Sequence, residues 1–248
     1  MIYLLPLLSV IFGYGIALIL KPSNKKSLKL LLAFSGSFLL SLTVMHLLPE
    51  VYESALQGHD HGHDHDHEHG HEHGHNNIIG IYIMAGIVFQ IILEYFSKGA
   101  EHGHVHASSN DHGHGHSNAM PWLLFISLCI HALLEGMPVS HHHDLAWGIA
   151  IHHFPIAIIL TAFFMNSGLN KTAIFLFMVA FAAMTPLGTL ASGQLHFISH
   201  YYTEISAIVV GILFHISSTI IFESSEGHKF NLAKLLVIIL GVIMAYFL

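Results

Sequence analysis

The sequence predicts an all-α, polytopic membrane fold with eight transmembrane helices, on three observations. The 248-residue chain is 53% hydrophobic and only 9% charged, with a mean hydropathy of +0.62, whereas soluble domains carry roughly 25% charged residues. Its apolar runs approach or exceed the ~18 residues that mark a membrane span, and polar connections bound each of them. All eight basic side chains are lysines, and with eight spans every one falls on the same side of the bilayer.

The expected spans cover residues 2–20, 28–48, 78–97, 121–141, 145–165, 172–190, 204–222 and 231–248, within a single transmembrane domain, 1–248. The first run has the apolar character of a signal-peptide core. It lacks the basic leader of one, its lysines follow rather than precede it, and it is taken as a retained span. Lys21, Lys25, Lys26 and Lys29 lie between or at the ends of spans one and two, Lys98 follows span three, Lys171 precedes span six, and Lys229 and Lys234 flank the start of span eight. The positive-inside rule makes that side cytoplasmic and puts both termini outside. Short connections and small size point to a bacterial inner membrane.

Two connections are rich in histidine. Residues 58–77 form an outer loop with nine histidines at alternate positions, His59 to His75, and residues 99–119 form an inner loop holding the tract His102 to His116. Neither can bury a core, so both are expected to be disordered. Neutral imidazole is a common metal ligand, so both suit weak metal capture; a solvated linker is the plainer alternative. His141-His142-His143-Asp144 joins spans four and five on the outer face, either as metal-access ligands or as a wet turn. His46-Leu47-Leu48-Pro49-Glu50 closes span two, either with a metal role or as a proline-terminated helix with an interfacial histidine.

The densest chemistry lies inside the apolar runs. Ionisable groups at that depth are costly and face a partner, a cavity or an ion. His131 and Glu135 are four residues apart and share one face of span four. His152 and His153, in span five, project about 100° apart, so one can join that pair while its neighbour faces elsewhere. Imidazoles with a carboxylate chelate a divalent transition metal. Pro155, Gly136 and Pro138 disturb both helices there, an irregularity tolerated in membranes where it lines a cavity. Interhelical hydrogen bonding is the alternative for each residue alone. Signals elsewhere are thinner: Thr185-Pro186-Leu187-Gly188 and His215 lean structural over ligand or pathway roles, Gln90 and Glu94 meet the inner interface, and Glu223, Glu226 and His228 mark either a metal exit or a solvated helix end.

Other classes fare worse. No basic stripe exists to neutralise phosphates, and the net charge is −7, so nucleic acid is not a partner. The single cysteine, Cys129, excludes a disulfide framework and a Cys-rich zinc site. A nickel/cobalt permease, a zinc exporter, an intramembrane zinc hydrolase and a membrane-anchored metal buffer are the alternatives considered. No His-Glu-x-x-His occurs for the hydrolase, and the chain is expected not to be an enzyme.

These residues resemble the ZIP family of divalent-metal transporters in its bacterial form. That family's fourth helix has His-Asn-x-x-(Asp/Glu)-Gly, and here stands His131-Ala132-Leu133-Leu134-Glu135-Gly136. Its fifth helix has a polar pair before x-Pro, matched by His152-His153-Phe154-Pro155, while His46–Glu50 and Pro186-Leu187-Gly188 resemble its second and sixth helices. The resemblance implies a 3+2+3 arrangement with inverted repeats and import of a divalent metal, Zn²⁺ above all, by a helix bundle shifting past a scaffold. The metal is substrate, and no cofactor is implied. Two-metal members use positions that here hold Ala132, His153 and Ile156, and the sixth-helix carboxylate is Thr185. A single ion on His131, Glu135 and His152, with His153 as optional fourth ligand, is therefore expected. Protonated imidazoles do not ligate, so uptake is expected to fall in acid. The oligomeric state is open, with a homodimer the candidate.

Overall fold

The computed structural model describes residues 2–20, 25–57, 72–97, 120–140, 143–223 and 232–248. The expected loops 58–77 and 99–119 therefore fall largely outside the described residues, as do His141 and His142. Among the described residues every regular element is a helix.

The order is α1 (Leu5–Leu20, after a 3₁₀ turn Ile2–Leu4), α2 (Lys25–Leu42), a π turn (Thr43–Leu47), α3 (Leu48–Gln57), α4 (Glu72–Ser97), α5 (Met120–Gly136), a 3₁₀ turn (Pro138–Ser140), α6 (His143–Asn166), α7 (Lys171–Gln194), the short α8 (His196–His200), α9 (Tyr202–Glu223) and α10 (Leu232–Tyr246). By length and composition five of these stretches can cross a membrane: Lys26–Leu56, Asn77–Tyr95, Asp144–Asn166, Lys171–Gln194 and Tyr202–Phe222. Leu5–Ile19, Phe125–Ser140 and Leu232–Tyr246 are shorter apolar helices.

Several boundaries differ from the sequence expectation. Helix α2 does not end at Pro49. It runs through the π turn into α3, with Leu48 N–H bonded to Thr43 O, five residues back. Proline at 49 has no N–H, and its ring would crowd the carbonyl four residues earlier; widening the preceding turn relieves that clash while keeping the helix going. Residues 72–77, expected in the outer loop, form the first turns of α4; once an apolar helix is nucleated, adding flanking turns is cheap. Helix α5 is shorter than expected and stops at Gly136, where Pro138 follows. Between α6 and α7, Gly168 takes φ +77°, and Asn170 Oδ1 accepts from Ala173 N at 2.7 Å to cap α7.

Packing divides the helices into two groups. Helix α1 lies chiefly on α6 and α5 on α7, with α1 also against α7; α4 lies chiefly on α9 and α2 on α10, with α2 also against α9. The groups meet where α2 crosses α6 and α4 touches α5. Helix α4 leaves Ile81, Met84, Val88, Ile91 and Tyr95 exposed, an apolar outer face fit for lipid.

In an apolar solvent helices associate by close backbone approach rather than by a hydrophobic drive. Two reciprocal glycine pairs supply it here. A side chain at Gly86 would strike the Ile208 carbonyl and one at Gly211 the Ile83 carbonyl, joining α4 and α9. Gly136 faces the Thr185 backbone, and Gly188 the Leu133 carbonyl, joining α5 and α7. Thr189 Oγ1 reaches the Gly136 carbonyl at 2.7 Å and so satisfies the end of α5 from α7. We expect Gly188→Val to separate α5 from α7 at a cost of about 1–3 kcal/mol. A lowered Tm of the detergent-purified protein would register it, and an unchanged Tm would contradict the close approach.

Candidate metal site

Helix α5 carries His131 and Glu135 one turn apart, and α6 carries His152 and His153 just before Pro155. All four side chains are buried, Glu135 at 0% exposure. His131 Nε2 lies 3.0 Å from Glu135 Oε1, and His153 Nε2 lies 3.1 Å from Glu135 Oε2. One ligand atom each from His131, Glu135 and His152 fall within 4.8 Å of one another. Among the described residues this is the one set of three such side chains that converges.

The setting is apolar. Ala132, Ile156, Phe181, Ile216 and Ile220 belong to the same buried cluster of hydrophobic side chains, and a narrow void lined by Leu128, Ile156, Phe181, Ile216 and Ile220 abuts the three imidazoles. With little water to compete, charge-assisted contacts are strengthened. The His153 ring stacks obliquely on Phe181, centroids 5.3 Å apart, and lies 5.9 Å from the His152 ring.

The local backbone explains the placement. Pro155 removes one hydrogen bond within α6, and Ser9 Oγ of α1 donates to the Ala150 carbonyl in the adjoining turn. At the other edge α5 ends at Gly136, one residue after Glu135, and the following chain is tied back by Met137 N to Leu134 O (3.1 Å), Ser140 Oγ to Met137 O (3.0 Å) and Tyr202 Oη to Pro138 O (3.2 Å).

The structure brings His131 and Glu135 together with His152, the one of the two α6 histidines whose ligand atom converges with theirs. His153 stands against the second carboxylate oxygen, outside the three-way convergence. Ala132 is buried and offers no ligand, Ile156 adds only an apolar wall, and Thr185 lies in the α5–α7 contact rather than at the cluster. His215 and Glu94, read separately from sequence, meet between α9 and α4 with Nε2 2.7 Å from Oε2. Sequence reasoning missed Phe181 and Ile216, because residues lining a void from α7 and α9 carry no motif of their own. It also missed that His46, Glu50, Glu53 and Asp144, from α2–α3 and α6, line one open cavity.

No curated protein matches the chain. A family model described as ZIP zinc transporter matches residues 1–121, which stops short of His131, so the converging residues and the match are independent observations. That family is one of membrane transporters and not of enzymes. Residues 1–121 therefore carry the signature of the ZIP zinc transporter family.

Proposed function

We propose that this chain imports a divalent transition metal ion, Zn²⁺ first, into the cytoplasm by alternating access through one buried site. The observation that carries the reading is the convergence of His131, Glu135 and His152 inside a bundle of apolar helices. Two imidazoles and one carboxylate make a site of low charge, which suits an ion that must also leave. Ala132 and Ile156 offer nothing to a second ion. His153, holding Glu135 Oε2, acts as the partner that orients the carboxylate.

Packing supports the inverted-repeat arrangement. Exchanging α1 with α7, α2 with α9, α4 with α10 and α5 with α6 turns the α1–α6 contact into α7–α5 and the α4–α9 contact into α10–α2, while α2–α9 and α1–α7 map onto themselves. All the converging ligands belong to the group α1, α5, α6 and α7, so sliding that group past α2, α4, α9 and α10 would carry the ion with it. Segregation of the eight lysines supports outer termini and inward delivery, while short connections and small size support the inner cell membrane.

Zinc uptake into proteoliposomes tests the reading. His131→Ala, Glu135→Ala and His152→Ala should each lower it by about tenfold or more, the equivalent of about 1.4 kcal/mol of lost ion stabilisation; undiminished uptake in all three would sink the site. His153 separates ligand from orienting partner: His153→Ala should weaken metal affinity about 10–100-fold, while His153→Gln, which keeps a donor for Glu135, should recover most of it. Equal loss in both variants would make His153 a ligand. Deleting residues 59–75 should slow uptake at scarce zinc and spare the maximal rate; loss of the maximal rate would give that tract a role beyond capture.

A further inference from the structure

Helix α7 brings to the metal site a residue that offers no ligand atom. Its buried face carries Met178, Phe181, Ala182 and Thr185, and the Thr185 backbone rests against Gly136 at the end of α5. Phe181 lies one turn from that contact, so its height beside the cluster is set by close backbone approach. A buried phenylalanine is ordinary core filling, and Phe181 belongs to the apolar cluster with Leu128 and Ile156. Its neighbour sets it apart. The Phe181 ring meets the His153 imidazole at a centroid distance of 5.3 Å and an interplanar angle of 56°, within the range of inclined aromatic pairs.

His153 needs such a contact. Its Nε2 lies 3.1 Å from Glu135 Oε2, and an ionised carboxylate only accepts, so that nitrogen carries the proton. Its Nδ1 is buried and has no hydrogen-bond partner among the described residues. One hydrogen bond fixes one corner of the ring, while the torsion that turns an imidazole is soft. Packing must therefore hold the ring's faces. Two rings stand against it, Phe181 at 5.3 Å and His152 at 5.9 Å. His152 is turned to the converging set, which leaves Phe181 to hold His153.

The consequence is a choice between adjacent histidines. His152 and His153 have the same chemistry, yet it is His152 whose ligand atom converges with those of His131 and Glu135. With His153 on Oε2, Glu135 keeps Oε1 on the side of His131. Turning the His153 ring off Phe181 would free Oε2 and remove the carboxylate's anchor on α6.

We infer that Phe181 is a positioning residue for the metal site: it acts through His153, holding that imidazole on Glu135 Oε2 and out of the ligand set. The inference rests on the metal-binding reading of the cluster. Phe181 touches no ion, so its effect on the ion exists only while His153 is present. General core packing would be felt with or without His153.

Two measurements on the detergent-purified full chain test this together: zinc affinity against a chelating dye, and the ring N–H of His153 in the metal-free protein. Phe181→Leu, which keeps an apolar side chain in the cluster, should weaken zinc binding about three- to tenfold. In a His153→Ala background the same substitution should change affinity less than about twofold, because both residues act on one path. Phe181→Met fills the space with a flexible side chain and should behave alike if Phe181→Leu lowers the yield of folded protein. In ¹H–¹⁵N spectra of histidine-labelled protein, the Nε2–H signal that disappears in His153→Gln should be present in wild type and weakened by exchange in Phe181→Leu. Where zinc binding depends on His131, Glu135 and His152, equal losses in both backgrounds, or no loss in wild type, would overturn the positioning role. So would a His153 signal that Phe181→Leu leaves unchanged. Zinc affinity indifferent to His131→Ala, Glu135→Ala and His152→Ala would overturn the metal reading, and the His153 signal would then decide the role of Phe181 by itself.

Discussion

The carboxyl group of Glu135 sets the terms for the rest of the structure. It is fully buried within an apolar cluster, where an isolated charge is among the most expensive things a helical bundle can contain. Only partners at contact distance offset that cost, and Glu135 has two: His131 at 3.0 Å on its own helix and His153 at 3.1 Å on the next. The first follows from a spacing of four residues. The second demands that α5 and α6 hold a fixed relation, so tertiary packing must be accurate to a few tenths of an ångström at this point. A divalent ion at the same place would supply the strongest counter-charge available, which is why such a cluster is chemically poised for one.

That accuracy is built by backbone contact rather than by large side chains. The α5–α7 contact at Gly136 and Gly188 begins one residue after Glu135, and Thr189 closes the carbonyl that α5 leaves open there. On the far side of α6, Ser9 of α1 engages the carbonyl of Ala150 near the proline-weakened turn. The helices bearing the ligands are therefore clamped to α1 and α7, their own group, while the other group contributes mainly apolar side chains, Ile216 and Ile220, to the site. An apolar wall of this kind is compatible with the sliding motion proposed above.

Much of this was legible in the sequence, and the limits are physical. Helix content and the positions of the apolar helices followed from hydropathy, because length and polarity dominate in a membrane. The pairing of His131 with Glu135 followed from their sharing a helical face, and a third ligand from α6 followed from the proximity of consecutive helices. Which of His152 and His153 joins the trio did not follow, since adjacent residues on a helix differ only in direction and the rotation of α6 against α5 is set by packing. The meeting of Glu94 with His215 was equally hidden: 121 residues separate them, and the glycine pair that brings α4 onto α9 has no polar signature. Proline was read as a stop at 49, though within an apolar stretch a π turn costs less than exposing an interrupted backbone.

The π turn also explains why one sequence pattern serves two ends. His46 and Glu50 repeat the spacing of His131 and Glu135, yet only the second pair is part of a converging set. In α5 the turn is regular and the surroundings are dry, so imidazole and carboxylate close on each other and on His152. In α2–α3 the turn is widened, and His46 and Glu50 line a larger open cavity together with Glu53 and Asp144. Spacing alone therefore does not make a ligand pair; burial and a third converging side chain do, because where the protein excludes water, ligand atoms must replace it.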